Sequence, residues 1–563
     1  MKKLYTTLLC LLLTGLSYAQ QQVTKKVQVK QNVSFGVVLN EDGDHAFVTP
    51  DPIAAEKMLR ANVDGHARLG VNTYVFCIGA GSDVLYYPTK VSSTVGWRKT
   101  KYEDENPIWK YRIESAKACI AAGLDAVNIA GTQAKKNGML YLPSLRMNDS
   151  HFMVDPYNYP LTGQFWLNNT DLIIKDSPVV FSKNYGNLFD YTHKKVRDFR
   201  YDVFIEVLER NKNIIDGFEL DFNRTQIFFP KGKADVGAPL MTELVRKVRQ
   251  RLNQLAKEQG RPMYLFVRIP PSEESCKWAG LDVDTWMKEG LVDLISPSQL
   301  MTLPHDMPIE AMTKKANKYG VKMYPSMYPR TSWRVPLNPS ADDLGMENAI
   351  GRDVTLAEAL GAADNYRWMG ADGFYLFNYY NYPQASYMYE MVAAFGANTP
   401  NDNDKVYAIT KTYYNDDKEP SYAYVKQLPK QVNGKGEFKL LVGENIQSKV
   451  FSGKTCVLRL GVKKYSGNVN NIKVVLNGNA LVLKGEKDHL AAGKKLQADM
   501  ADRSLIYTID NLKHVFQGNN KVEVEVNGAL VTDIEIAYSA YNEISQIMRG
   551  IKAPTLNQNI GLK

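Results

Sequence analysis

Glu219, Asp221 and Asn223 stand at alternate positions of the stretch Asp216-Gly217-Phe218-Glu219-Leu220-Asp221-Phe222-Asn223-Arg224. A strand sends successive side chains to opposite faces. These three therefore share one face, and Phe218, Leu220 and Phe222 share the other. Two carboxylates and an amide on one face fit poorly in an ordinary core, because an unpaired buried charge is costly. They fit a barrel strand whose outer face packs on helices and whose inner face leads into a site for acid, base or nucleophilic work. The plainer alternative is an edge strand with a solvated acidic face. The run Asn213-Ile214-Ile215 before it and Arg224 after it weigh against that.

Further groups fall at the ends of other apolar runs. Ser144, Arg146 and Asn148 share a face of one candidate strand, with Asp149 and His151 just beyond. Arg268 ends another, with Glu273 and Glu274 following; Gln299 and His305 follow a third, Tyr328 and Arg330 end a fourth, and Asn378 and Tyr379 a fifth. Asp221 lies about 6–7 Å further along the strand than Glu219. That makes Asp221 the expected nucleophile or base and Glu219 its orienting partner or second carboxylate. Asp149, Glu273 and Glu274 compete with Glu219 for the second place. Arg146 and Arg268 either bind an acidic group, lower a carboxylate pKa or neutralise buried acids. Arg224 closes the motif. No His-x-His or His-Glu-x-x-His spacing occurs, so neither a metal nor another cofactor is expected.

The elements that would position these groups alternate along the chain. Strand candidates are 33–40, 72–79, 139–148, 216–223, 263–270, 291–298, 321–329 and 371–379. Helical patterns lie between them at 53–62, 107–122, 124–135, 191–210, 239–259, 308–319 and 355–369. Val196, Phe199, Val203 and Val207 form one amphipathic stripe, and Met241, Leu244, Val248, Leu252 and Leu255 another. Strand–helix alternation repeated in this way predicts an α/β fold, a (β/α)8 barrel over 30–400. A doubly wound sheet is the alternative, but no Gly-rich phosphate loop follows the first strand. The loops after the second, third and fourth strands carry Trp97, Trp109, Tyr157, Tyr159, Trp166, Phe228 and Phe229. Such aromatics suit a sugar-binding cleft, or else pack among themselves.

Residues 396–404 have linker composition, and beyond them the pattern changes to strict alternation, as in Lys521–Val526 running into Asn527-Gly528. An all-β sandwich is expected over 405–540, able to fold alone. Its expected role is support of the barrel, with carbohydrate binding as the alternative. Residues 1–19 have the pattern of a secretory signal: Lys2-Lys3, an apolar stretch from Leu8 to Leu16, and Ser17-Tyr18-Ala19 as the cleavage site. The expected product begins at Gln20 and is periplasmic or extracellular. Cys77, Cys119, Cys276 and Cys456 are scattered, as buried thiols are, without disulfide or zinc spacing. The net charge of +9 is spread without a basic run, which argues against a nucleic-acid partner. No later segment reaches the roughly 18 apolar residues of a membrane span. The sequence does not define an oligomeric state.

The stretch Asp216–Asp221 resembles the fourth-strand motif of glycoside-hydrolase barrels. With Arg146-Met147-Asn148-Asp149-Ser150-His151 and Ala371-Asp372-Gly373-Phe374-Tyr375, the region 30–395 is similar to secreted bacterial proteins of the glycosyl-hydrolase-like family 10 type. The resemblance implies a glycan substrate and hydrolysis by carboxylates. Likeness to amylase-type barrels would place the nucleophile on Asp221, although their Arg two residues earlier is Glu219 here. Chitinase-like family 18 barrels also carry acids at alternate positions of this strand, but Asn223 stands where their proton donor would be. The expectation is therefore an exported glycoside hydrolase acting on a polysaccharide or oligosaccharide. A non-catalytic carbohydrate-binding protein on the same scaffold is the alternative.

Overall fold

The computed structural model describes residues 33–43, 47–149, 155–174, 187–299, 302–331, 352–379, 386–396, 404–411, 424, 426–448, 455–489 and 501–539. The signal segment, most of the linker stretch and His151 lie outside the described residues.

The chain is a mixed α/β protein with a nine-strand parallel sheet followed by an antiparallel sheet. The parallel strands are β1 (Val37–Glu41), β2 (Val71–Cys77), β3 (Leu140–Arg146), β4 (Gly217–Asp221), β5 (Tyr264–Ile269), β6 (Leu294–Pro297), β7 (Lys322–Met323), β8 (Ser326–Met327) and β9 (Phe374–Phe377). They pair in the order β7-β6-β5-β4-β3-β2-β1-β9-β8. The strand expected over 321–329 is thus two short pieces split at Tyr324-Pro325. Proline has no N–H to give a ladder. The first piece pairs with β6 and the second with β9, while the Pro325 carbonyl still accepts from Tyr375 N at 3.2 Å.

Helices cover one face of this sheet. They include α1 (Pro52–Arg68), α2 (Pro107–Ala121), α3 (Ala126–Lys136), α4 (Lys194–Asn211), α5 (Ala234–Gln259), α6 (Glu310–Lys318), α7 (Leu356–Trp368) and α8 (Ser386–Gly396). Asp51 caps α1, its side chain accepting from Ile53 and Ala54 N, while Thr355 and Glu358 form a capping box on α7. Phe218, Leu220 and Phe222 of the central motif pack into the large core between sheet and helices, Phe218 edge-on to Phe204 at 4.9 Å. The other face carries a separate apolar cluster that includes Val38, Val75, Leu142, Phe266, Leu294 and Tyr375. The two clusters follow the alternation that the strand pattern requires.

The antiparallel sheet is built on β17 (Gly518–Ser539). Its other strands are β10 (Lys405–Ala408), β11 (Lys430–Val442), β12 (Thr455–Lys463), β13 (Lys473–Leu476), β14 (Asn479–Ala480), β15 (Val482–Asp488) and β16 (Arg503–Thr508). One edge of β17 pairs with β11 and then β10, and the other with β13 and then β12. This unit has its own core, centred on Leu458, Leu460, Val524, Val531 and Ile536. The four cysteines among the described residues are free and buried. No described helix is long and apolar enough to cross a membrane.

Candidate active site

Register brings the candidate groups together. Glu219 on β4 lies opposite Ser144 on β3 and Phe266 on β5; Asp221 lies opposite Arg146 and Arg268. Asp221 is therefore flanked by two arginines, and only one takes it. Arg268 Nη2 donates to Asp221 Oδ2 at 2.7 Å, and Arg268 Nη1 reaches Ser298 Oγ at 3.3 Å. The fully buried guanidinium also lies 3.8 Å above the Phe377 ring, a cation–π contact. The second Asp221 oxygen, Oδ1, accepts from Asn223 N at 2.8 Å. Arg146 turns away to Asp149 Oδ2 at 3.0 Å and to Asp42 Oδ1.

Glu219 lies one register step deeper and is fully buried. Its Oε1 accepts from Ser144 Oγ at 2.7 Å, Tyr375 OH at 2.8 Å and Asn40 Nδ2 at 3.1 Å. Its Oε2 has no hydrogen-bond partner among the described residues, and neither do Arg268 Nε, Asn223 Nδ2 and Ser296 Oγ. Burial pushes the Glu219 carboxyl up from 4.5 to about 7, and the charge of Asp221 adds to the rise. The Ser144 hydrogen bond, the charge of Arg268 and the Tyr375 hydrogen bond pull the other way. A carboxyl held near neutrality beside an ion-paired carboxylate is the arrangement that divides acid from base roles.

The remaining candidates have other surroundings. Asn148 Nδ2 donates to Ile227 O at 2.7 Å and Phe189 O at 3.1 Å, tying two loops together. Asp149 receives Arg146 and, at 3.3 Å, Gly81 N. Asn223 Oδ1 accepts from Gln226 Nε2, and Arg224 is half-buried. Gln299 is buried just past β6. Asn378 takes a left-handed φ of 63°, which Asn tolerates, and its Nδ2 lies 3.5 Å from Tyr328 OH. Glu273 begins a short helix and pairs with Lys315 at 2.9 Å, and Glu274 is exposed on the same helix. Among the described carboxylates, Glu219 is the one that shares the strand face of Asp221.

The loop aromatics mostly pack among themselves. Tyr159, Trp166, Phe228 and Phe229 are buried in the main core, whereas Tyr157 is 64% exposed. Sequence reasoning left Asn40 and Tyr375 out of the site. Each is a polar group within an apolar strand, Val37-Val38-Leu39-Asn40 and Phe374-Tyr375-Leu376-Phe377, and that interruption was the available signal. Among the described residues no group of three or more His, Cys, Asp or Glu side chains could hold a metal ion.

No family model and no curated protein matches the chain. Solved glycoside hydrolases are similar in structure. A GH36 α-galactosidase from Geobacillus stearothermophilus is 11% identical at a TM-score of 0.34, over 85% of this chain and 56% of that one. An α-L-fucosidase from Paenibacillus thiaminolyticus is 10% identical at 0.39, over 65% of this chain and 49% of that one. A maltogenic α-amylase from Thermotoga neapolitana is 10% identical at 0.34, over 89% and 99%. The chain thus spans little more than half of the α-galactosidase and half of the fucosidase.

Proposed function

We propose that the chain is an exported glycoside hydrolase of the glycosyl-hydrolase-like family 10 type, acting on a polysaccharide or oligosaccharide. In this reading β7 and β8 are one strand interrupted at Pro325, so that the parallel sheet closes as a (β/α)8 barrel. Asp221 is the nucleophile or base, and Glu219 is the second carboxyl, carrying a proton near neutral pH. Asn40, Ser144 and Tyr375 hold Glu219, while Arg268 pairs with Asp221. The observation that carries the reading is the pairing of two carboxyls on one strand face in unlike surroundings: one ion-paired at 2.7 Å, the other pushed up to about 7. Two such groups are what glycoside hydrolysis uses. Arg146, Asn148, Asp149, His151, Asn223, Arg224, Gln299, Tyr328 and Asn378 are proposed to surround the glycan.

A second reading has a specific observation behind it. Both oxygens of Asp221 are engaged, by Arg268 and by Asn223 N, and an amide stands at the next position of the same face. This favours a glycan-binding protein on a hydrolase-type scaffold. A screen for reducing-sugar release across a broad glycan panel, run beside affinity electrophoresis on the same glycans, separates the two. The hydrolase reading expects new reducing ends from at least one glycan. Retardation without release on every bound glycan would replace it with the binding reading.

A further inference from the structure

Residues 302–307 follow β6 and, apart from half-buried Asp306, are buried without belonging to a helix or strand. Thr302, Leu303, His305 and Met307 are each at most 1% exposed. A buried irregular segment has backbone groups that neither water nor a ladder can satisfy, so its partners must be supplied. They come from two sides. Helix α7 provides Asn365 Nδ2 to His305 O at 2.8 Å and Tyr366 OH to Pro304 O at 2.5 Å. The C-terminal unit provides Thr410, whose Oγ1 accepts from His305 N at 2.8 Å. The Asp306 carboxylate accepts from Tyr424 OH at 2.6 Å and Thr410 N at 3.3 Å.

The same helix is fastened to the C-terminal unit directly. Asn365 Oδ1 accepts from Gly443 N at 2.7 Å, and its Nδ2 also reaches Leu441 O at 3.2 Å. Lys405, 3% exposed, sits between Asp364 of α7 at 2.5 Å and Glu444 at 3.3 Å. Backbones touch as well: a Cβ on Gly361 would fall 2.0 Å from Val406 O, and one on Gly443 would fall 2.2 Å from Asp364 O. Separating the two units would break the contacts of Asp306, Lys405 and Asn365 together and trade them for water.

We propose that the C-terminal β-unit is a structural component of the parallel-sheet unit, supplying the partners that let 302–307 take the place of helix outside β6, where α6 has only nine residues. It is not a separately tethered module. This assignment does not depend on the glycan reading, and its test needs no substrate.

Hydrogen–deuterium exchange on the full chain is the test, with Thr410→Val and Thr410→Ser compared. Valine keeps the shape and removes the hydroxyl acceptor, whereas serine retains it. Thr410→Val should exchange about tenfold faster across 302–307, as expected for a lost buried hydrogen bond. Thr410→Ser should stay within about twofold of wild type, and β13 should be unchanged in both. A Thr410→Val chain that fails to fold while Thr410→Ser folds supports the same role. Calorimetry of the wild type gives a second readout: one cooperative transition is expected for the whole chain. Wild-type exchange at 302–307 in Thr410→Val, or melting of the C-terminal unit in an earlier transition with 302–307 still protected, would overturn the proposal.

Discussion

Arg268 Nη2 lies 2.7 Å from Asp221 Oδ2, with the guanidinium wholly buried and the carboxylate 2% exposed. Neither charge has water to fall back on, so each depends on the other. Removing one partner of a buried pair leaves an uncompensated charge, at a cost of about 3–5 kcal/mol. Asp221→Asn and Arg268→Met should each lower the unfolding free energy by about 3 kcal/mol, and the double variant should recover most of the loss. Urea denaturation of the four proteins measures the coupling. Single losses that simply add in the double variant would show that the pair does not act as one unit.

Glu219 gives stability a pH dependence of known sign. Its carboxyl titrates near 4.5 in the unfolded chain and about 7 in the folded one. Between those values the folded state binds more protons, so stability is full below about pH 4.5 and falls as pH rises toward 7. The span corresponds to about 3 kcal/mol. Glu219→Gln should keep an oxygen for Ser144, Tyr375 and Asn40 and remove the titration. The difference in unfolding free energy between wild type and Glu219→Gln should therefore shrink in favour of the variant from pH 4.5 to 7. A difference that stays flat across this window would mean that Glu219 is already ionised at pH 5.

The strand positions were legible because alternation is a local property. Phe218, Leu220 and Phe222 had to leave Glu219 and Asp221 on the opposite face, and they do. Which arginine would meet Asp221 was not legible. Arg146 and Arg268 both lie opposite it in register, and the choice depends on Asp42 and Asp149 drawing Arg146 away, a matter of sheet stagger and loop path. Asn40 and Tyr375 escaped for a related reason. Single polar groups in apolar strands look like core until the strand three or four places away in the sheet is known. The burial of Trp166 and Phe229 likewise comes from tertiary packing, which overrides local pattern.

His66 shifts stability in the opposite sense to Glu219. It sits on the buried side of α1, its ring 5.9 Å from that of Tyr74, and burial lowers its pKa from 6.5 to about 4. Below pH 6.5 the unfolded chain takes up a proton that the folded chain refuses, so stability is lost as pH falls from 6.5 toward 4. The loss is about 3 kcal/mol for this one group. His66→Gln should flatten that limb when melting is followed from pH 7 to 4. An acid limb equally steep in the variant would assign it to other groups.

Turnover separates the two readings of the site. If Asp221 attacks or activates water, Asp221→Asn removes the reacting charge and should lower kcat by several orders of magnitude on any glycan the wild type cleaves. The stability loss complicates that comparison, so assays belong well below the melting temperature of the variant, with its folded fraction measured by circular dichroism. Glu219→Gln should lower kcat by a similar factor if Glu219 is the second catalytic carboxyl, because glutamine cannot give up a proton. Its effect should also vary with pH: wild-type activity that depends on protonated Glu219 falls above about pH 7, the value at which this carboxyl ionises. If Glu219 only orients the strand face, Glu219→Gln should stay within about tenfold of wild type and keep the same alkaline limb. The binding reading expects no release by the wild type and altered glycan affinity in either variant. A folded Asp221→Asn protein with near-wild-type hydrolysis would remove Asp221 from the chemistry and leave its pairing with Arg268 as architecture.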